Sequence, residues 1–399
     1  MKKYTSSAIL VIVFLFTAIM MFGLSTAIIG VGWPDMRDEF GLRQDSIGWL
    51  LMAGTVGHLI SGAFNGRLMY RFGGGRLLLI SIIVFSISLF GYWLTPTWPA
   101  LIAFALIGGW AGGVLDATGN TITAARFDER IMNWFHGFFG VGATLGPLII
   151  SLVVSQGFNS WRGGAFVFAA LMALMAGAQM LLRPFSSDPE PGDEVDAIKE
   201  THSEESDVSG RETLSKWVVW LAIIFFFVYG GIEVALGQWS FTIFTESRGI
   251  SDELARVWIA VYWGTFTAGR FIFGLISPWL PVNQWLRICL VGTMASVVLL
   301  LFPNRPMVGI VGLALSGLTQ APIFATLISY MPKLVGKDHA SNAIGYVVGA
   351  AGIGIAFLPW IAGILAEAIS LEAIPPYLLG LTVLLYLLFE LLARRPAEA

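Results

Sequence analysis

Charge is scarce in this chain. Asp, Glu, Lys and Arg make up 12% of its 399 residues, about half of the ~25% found in an ordinary soluble chain. That shortage excludes a soluble architecture, because too little polar side chain is present to cover folded domains of this length. Cysteine is nearly absent as well. With Cys289 alone, no disulfide can form within the chain and no thiolate metal site is possible. Of the four histidines, His202 and His339 fall in connecting segments, and no spacing suits a metal ion. No paired catalytic carboxylates and no Ser-His-Asp set appear. An enzyme, a metal centre and an organic cofactor are therefore not expected. The net charge of -3, without a basic cluster, gives no reason to expect nucleic acid.

What is abundant points the other way. The chain is 56% hydrophobic with 46 Gly and 15 Trp, and its mean hydropathy is +0.77, as expected of close-packed membrane helices with aromatic belts at the interfaces. A span needs ~20 mostly apolar residues. That ruler gives 7–32, 45–67, 76–95, 98–124, 131–154 and 162–183, then 216–243, 253–276, 286–303, 306–330, 341–366 and 374–393. The first run follows Lys2 and Lys3 and shows no small-residue cleavage site before Trp33, so it reads as a span and not a leader. Trp33, Trp98, Trp279 and Trp360 read as belt residues. Residues 1–184 form one six-helix half and 216–399 the other. Between them, 185–215 holds ten acids and two bases, with little to bury, and is expected to be a mobile linker.

Basic residues orient the chain. With the amino terminus inside, all but Arg37, Arg43, Arg162, Arg248, Arg256 and Arg305 of the 23 Lys and Arg lie on the cytoplasmic side. Both termini are then cytoplasmic in a multi-pass protein of the cell (inner) membrane. The halves echo each other: Gly66-Arg67 resembles Gly269-Arg270, and GFFGVGATLG from Gly137 resembles GYVVGAAGIG from Gly345. A six-plus-six repeat is a transporter signature, with solute bound near the midplane. Matching Gly113 with Gly317 sets Gln320 at the place of Asp116.

The central stretch is Leu106–Pro147, two apolar runs joined by ARFDER. Asp116 and Asn120 are four apart and share a helix face. An ionisable group in a membrane span is a functional-site hypothesis by default, and His136 on the following run is the expected partner. Glu233 lies in a second such run, followed by Gln238 and Trp239. Carboxylate and amide can pair with vicinal hydroxyls, and an indole offers an apolar face to a sugar ring. Glu233 and Gln238, five apart, converge only if the helix unwinds near Gly237. Trp110, Trp263, Asn342 and Tyr346 are further candidate cavity liners. His58, Ser61, Gly62 and Asn65 form a polar stripe read as interhelical glue.

GRLMYRFGGGR (66–76) carries Gly66, Arg67, Arg71, Gly73 and Arg76 on the turn between spans two and three. It resembles the gating-loop motif of the major facilitator superfamily, with Tyr70 where that motif carries Asp. SGAFNGRLM, DATGNT, MNWFHGFFGVGATLGP and YGGIEVALGQWSFTIFTESRG (229–249) resemble the fucose–galactose–glucose:proton symporter branch of that superfamily. The resemblance implies an all-α fold of 12 transmembrane helices in two six-helix halves around a central cavity. It implies Asp116 as a proton-coupling acid and His136 in a sugar-contacting position. The branch's acid late in span one is replaced by Gly30, so coupling rests on Asp116, on Glu233, or is absent.

The expected function is proton-coupled import of a monosaccharide or similar neutral hydroxylated solute by a lipid-embedded monomer working by alternating access. Sodium is the alternative coupling ion. Proton coupling is assigned to Asp116, His136 and Glu233, and solute contact to Asn120, His136, Gln238, Trp239, Gln320, Trp110, Trp263 and Asn342. A drug or metabolite exporter is the rival reading, on the strength of Gly142-x-x-x-Gly146-Pro147. A transport-inactive sensor is a third, although the only soluble segment is the short linker.

Overall fold

The structure, a computed structural model, describes residues 5–127, 129–158, 160–185, 208–276 and 279–394. Among these, twelve helical spans are long and apolar enough to cross a membrane. They are α1 Ser7–Phe40, α2 Gln44–Phe72, α3 Gly74–Leu94, α4 Trp98–Arg126, α5 Arg130–Ser155 and α6 Trp161–Leu182. The series continues with α7 Trp217–Ser247, α8 Asp252–Ile276, α9 Val282–Leu300, α10 Pro306–Val335, α11 Lys337–Ala368 and α12 Leu371–Ala393. The twelve expected spans all appear, and the chain is a multi-pass helical membrane protein.

The largest departure is at α1, which does not stop before Trp33-Pro34. It breaks at Thr26, where the hydroxyls of Ser25 and Thr26 donate back to Phe22 O and Gly23 O at 2.7 Å and bend the helix. It then resumes as Ala27–Phe40 with Pro34 inside. Proline removes one N–H and crowds the carbonyl four residues back, which is tolerated in membrane helices whose neighbours re-satisfy the backbone. Trp33 and Met36 are fully buried, so packing carries the helix past the proline. Trp33 is thus a core residue and not a belt residue, whereas Trp279 is exposed.

The chain divides into two compact units, Met1–Phe40 with Met52–Ser203, and Gly41–Leu51 with Glu204–Ala399. In the first, α1 packs on α5 and α3 packs on α4 and α6; in the second, α7 packs on α11 and α9 packs on α10 and α12. Each pair is six helices on from its counterpart, so the repeat seen in sequence is a repeat of packing. Its tightest points explain the glycine echo. A Cβ at Gly146 would press on Leu24 O, and a Cβ at Gly354 would collide with Phe227 O. Only a missing side chain lets these backbones approach so closely. The same register brings Gly30 and Glu233 to equivalent places, each six residues beyond the helix contact. Gly142, read above as part of an exporter motif, lies over Met20 O in the same crossing.

Residues 41–51 belong with the second unit. Gln44 donates its backbone N–H to Glu367 Oε2 at 2.8 Å and its side-chain amide to Glu246 Oε2 at 3.2 Å. The linker expectation needs correcting at its end: Gly210–Ser215 is a short helix with the Ser209 hydroxyl accepting from the Glu212 N–H at 3.2 Å. Residues 186–207, including His202, lie outside the described residues.

Each unit also carries one arginine clamp. At the start of α6, Arg162 donates to Glu39 Oε1 at 2.9 Å and to the carbonyls of Trp93 and Thr95 at the end of α3, at 2.7 and 2.8 Å. Beyond the π-helical last turn of α7 (Ile243–Ser247), Arg248 donates to both oxygens of Glu372 at 3.0 and 2.9 Å and to Leu300 O at the end of α9, at 2.6 Å. The acid and the base exchange places between units, yet in both the guanidinium satisfies terminal carbonyls that no helix can pair for itself. The Arg248 side chain is fully buried. Arg248→Gln leaves Glu372 and Leu300 O without that donor, at a cost of ~1–3 kcal/mol. Thermal unfolding in detergent should show a lower midpoint for this variant; an unchanged midpoint would contradict the clamp.

Candidate functional site

In the first unit, α4 places Asp116 and Asn120 one turn apart, and the Asn120 amide donates to Asp116 Oδ1 at 3.1 Å. Both are half-buried. One turn earlier, Gly113 faces α2 so closely that a Cβ there would strike the Ser61 hydroxyl and press on the His58 ring. The contact continues with Thr118 Oγ1 donating to Asn65 Oδ1 at 3.1 Å, both residues buried. Ser61 and Asn65 therefore serve as interhelical glue, while His58 is exposed at its rim. His136 is exposed on α5, with its ring edge-on to Phe135 at 5.5 Å. Trp110, two turns before Asp116, is half-buried.

In the second unit the polar groups gather around Glu233 on α7. Tyr229 and Glu233 are four apart on one face, and the Tyr229 hydroxyl donates to Gln320 O at 3.0 Å. From α8, the Tyr262 hydroxyl donates to Glu233 O at 2.8 Å. From α10, the buried Gln320 donates its amide to Ser316 Oγ at 2.7 Å, leaving Oε1 without a partner. Arg270 of α8, two turns beyond Trp263, forms no ion pair with Glu233; its guanidinium stacks over Phe266 at 4.7 Å, and its buried Nε has no acceptor. Gly317 meets Tyr262 O and the Thr265 hydroxyl as Gly113 meets α2, which places Gln320 at the counterpart position of Asp116.

Several expected roles change here. α7 does not unwind near Gly237; it is regular from Trp217 to Thr242. The glycine instead makes room for Trp263, whose ring edge lies where a Cβ would be. Gln238, half-buried with Oε1 unpartnered, consequently stays on a different face from Glu233. Trp239 is fully buried and donates its indole N–H to Pro359 O at 2.9 Å. It is a packing residue with no face to offer a solute. Trp263 of α8, which packs against Gly237 one turn beyond Glu233, is half-buried and keeps part of its ring accessible. Asn342 donates to Val208 O at 3.0 Å and, with His339 bonded to Thr213 at 3.0 Å, holds the short helix before α7. Tyr346 packs its hydroxyl against Gly210 in the same place. The expected gating loop is hardly a loop: Gly66, Arg67 and Arg71 are helical, and Gly73 alone makes the turn, at φ +75°, a value that suits glycine. Arg67, Arg71 and Arg76 are exposed.

Tyr229, Tyr262, Ser316 and Arg270 are not among the site residues expected from the sequence. Tyr229 had a signal, its four-residue spacing from Glu233. Arg270 had none, because only the antiparallel packing of α7 and α8 sets it beside the carboxylate.

The model of the Major Facilitator Superfamily matches residues 15–341 and 281–399. The chain belongs to the major facilitator superfamily. As a facilitator-superfamily protein it is a transporter of small molecules and not an enzyme. It is similar to human sodium-dependent glucose transporter 1, with 23% identity over 369 residues covering 86% of this chain and 71% of that one. It is also similar to the glucose/mannose transporter GlcP of Bacillus subtilis, with 20% identity over 334 residues covering 83% and 81%. Among solved structures, the nucleoside transporter NupG superimposes with a TM-score of 0.77 at 14% identity, covering 98% of this chain and 100% of that one. A D-xylose-proton symporter gives 0.74 at 14%, covering 96% and 97%. At such identities the structures attest the facilitator fold alone.

The two tryptophans of this transporter can be told apart by chemistry. Cys289 is buried, so an introduced cysteine reports its own surroundings. Trp263→Cys should react with a water-soluble maleimide and Trp239→Cys should not. Equal reaction at both positions would contradict the assignment.

Proposed function

We propose that this transporter imports a neutral hydroxylated solute, a monosaccharide or close relative, together with a proton, by alternating access in the cell (inner) membrane with both termini cytoplasmic. The observation that carries the substrate class is the Glu233 cluster, where a carboxylate, a buried glutamine, two tyrosines and a half-exposed tryptophan lie on three packed helices. Carboxylate and amide oxygens accept from sugar hydroxyls, and the indole face covers the apolar side of a pyranose. The glucose-transporting relatives support the same class. The side on which Lys and Arg concentrate supports the orientation.

Coupling is assigned to Asp116. Its carboxylate sits in a membrane span with the neutral amide of Asn120 as hydrogen-bond donor, so protonation removes a charge from an apolar setting at no cost to a salt bridge. Proton and solute then bind with mutual help if the neutral form favours the loaded state, and linkage makes the help reciprocal. Glu233 and His136 are the other groups that the coupling scheme includes. Gly142 and Gly146, on which the exporter reading rests, also serve the crossing of α5 and α1.

D-glucose uptake into proteoliposomes tests this reading, with a pH gradient or a sodium gradient imposed separately. Wild type should concentrate glucose on the pH gradient. Asp116→Asn should lose at least ~90% of that accumulation, while glucose exchange without a gradient and glucose binding persist, because the amide imitates the neutral carboxyl. Accumulation on the sodium gradient alone, or full accumulation by Asp116→Asn, would overturn the proton assignment.

A further inference from the structure

We propose that Glu233 and Arg270 together act as a charge filter, a pair of opposite charges at the solute site that makes the transporter prefer uncharged ligands, with Arg270 itself contacting the solute. This rests on the reading of the second unit's polar cluster as the place where a hydroxylated solute binds.

The geometry has three parts. First, α7 and α8 run antiparallel, with Trp263 against Gly237. Glu233 lies one turn before Gly237 on α7, and Arg270 lies two turns after Trp263 on α8. Trp263 and Arg270 therefore bracket Glu233 from its two ends. Second, the four-residue spacing of Tyr262, Phe266 and Arg270 sets the guanidinium on the face of α8 that meets α7, and no ion pair closes it onto Glu233. Arg270 stacks on Phe266 at 4.7 Å and keeps a buried Nε–H with no acceptor. A guanidinium has five N–H donors and no acceptor, and none of those of Arg270 is taken up by a protein acceptor, which leaves its outer donors for an oxygen of the solute. An oxygen that donates to one side and accepts from the other suits the pair. A hydroxyl does both; a carboxylate can only accept and an ammonium can only donate. Third, the backing groups fix the carboxylate's helix and not the guanidinium's tip. Tyr262 bonds Glu233 O at 2.8 Å, and Tyr229, one turn before Glu233, bonds Gln320 O at 3.0 Å. The charged and titratable groups around Glu233 are thus Arg270, Tyr229 and Tyr262.

Charge balance then decides the ligand. One acid and one base sum to zero, so a neutral polyol leaves the site neutral, while a charged analogue adds an uncompensated charge within an apolar span. Removing one partner should reverse the preference toward a ligand that restores neutrality. Glu233→Gln leaves Arg270 in excess and should admit a carboxylate. Arg270→Gln leaves Glu233 in excess and should admit an ammonium.

The test is binding to the purified full-length chain in nanodiscs at pH 6, with D-glucose, D-glucuronate and D-glucosamine as probes. Wild type should prefer glucose over both charged sugars by at least about tenfold. Glu233→Gln should raise glucuronate affinity relative to glucose by at least about tenfold, and Arg270→Gln should do the same for glucosamine. The double variant Glu233→Gln/Arg270→Gln is neutral again. It guards against a single variant that fails to fold, and it should bind glucose more weakly than wild type while still rejecting both charged sugars. Wild-type binding of glucose with an order of preference that no variant changes overturns the filter and leaves the sugar reading standing. A double variant that accepts a charged sugar as well as glucose also overturns it. Failure of wild type to bind any of the three sugars overturns the sugar reading, and the filter with it.

Discussion

An ionised side chain inside an apolar span must be answered by its neighbours, and this constraint orders the polar architecture of the molecule. Charges are few, and several of those described within the helices are closed by a particular arrangement. Arg162 and Arg248 satisfy helix-end carbonyls and a carboxylate each. Arg287 pairs with Glu390 at 2.6 Å. Two acids are different in kind. Asp116 has an amide donor, and Glu233 has no ion-pair partner, its nearest packed neighbours being Tyr229 and Tyr262. Incomplete neutralisation of this sort costs stability, so it points to function more than a closed salt bridge does.

The internal repeat distributes these features unevenly. The helix crossings are the same in both units, down to the glycine that lets α5 approach α1 and α11 approach α7. The chemistry is not. Gly30 stands where Glu233 stands in the other unit, and Gln320 stands at the counterpart of Asp116. Asp116 and Glu233, one in each unit, thus lie on different members of the helix set. A duplicated scaffold can diverge this way because backbone packing fixes glycines and small residues, whereas positions beside the crossings are free to take different side chains.

How much of this was legible in the sequence follows the same division. Span number and most boundaries could be read, since a bilayer imposes a length and an apolar composition that hydropathy reports directly. The run past Trp33-Pro34 could not, because whether a helix continues through proline depends on what buries Trp33 and Met36. Asp116 with Asn120, and Glu233 itself, were visible as polar residues in apolar runs. Which way a side chain points was not. Trp239 looked like a platform for a sugar and is sealed in the core, while Trp263, also expected to line the cavity, packs against Gly237 one turn from the acid. Asn342 and Tyr346 looked like cavity residues and instead hold the short helix at Gly210–Ser215. Arg270 needed the packing of two helices to be seen beside Glu233.

The central claim is that the solute sits against Glu233 of α7 and Arg270 of α8. A structure of the protein determined with D-glucose bound measures this most directly. The account predicts a sugar hydroxyl within hydrogen-bond distance of both the Glu233 carboxylate and the Arg270 guanidinium, with the Trp263 ring beside the pyranose. Glucose bound elsewhere in the chain, touching neither charged group, would contradict it.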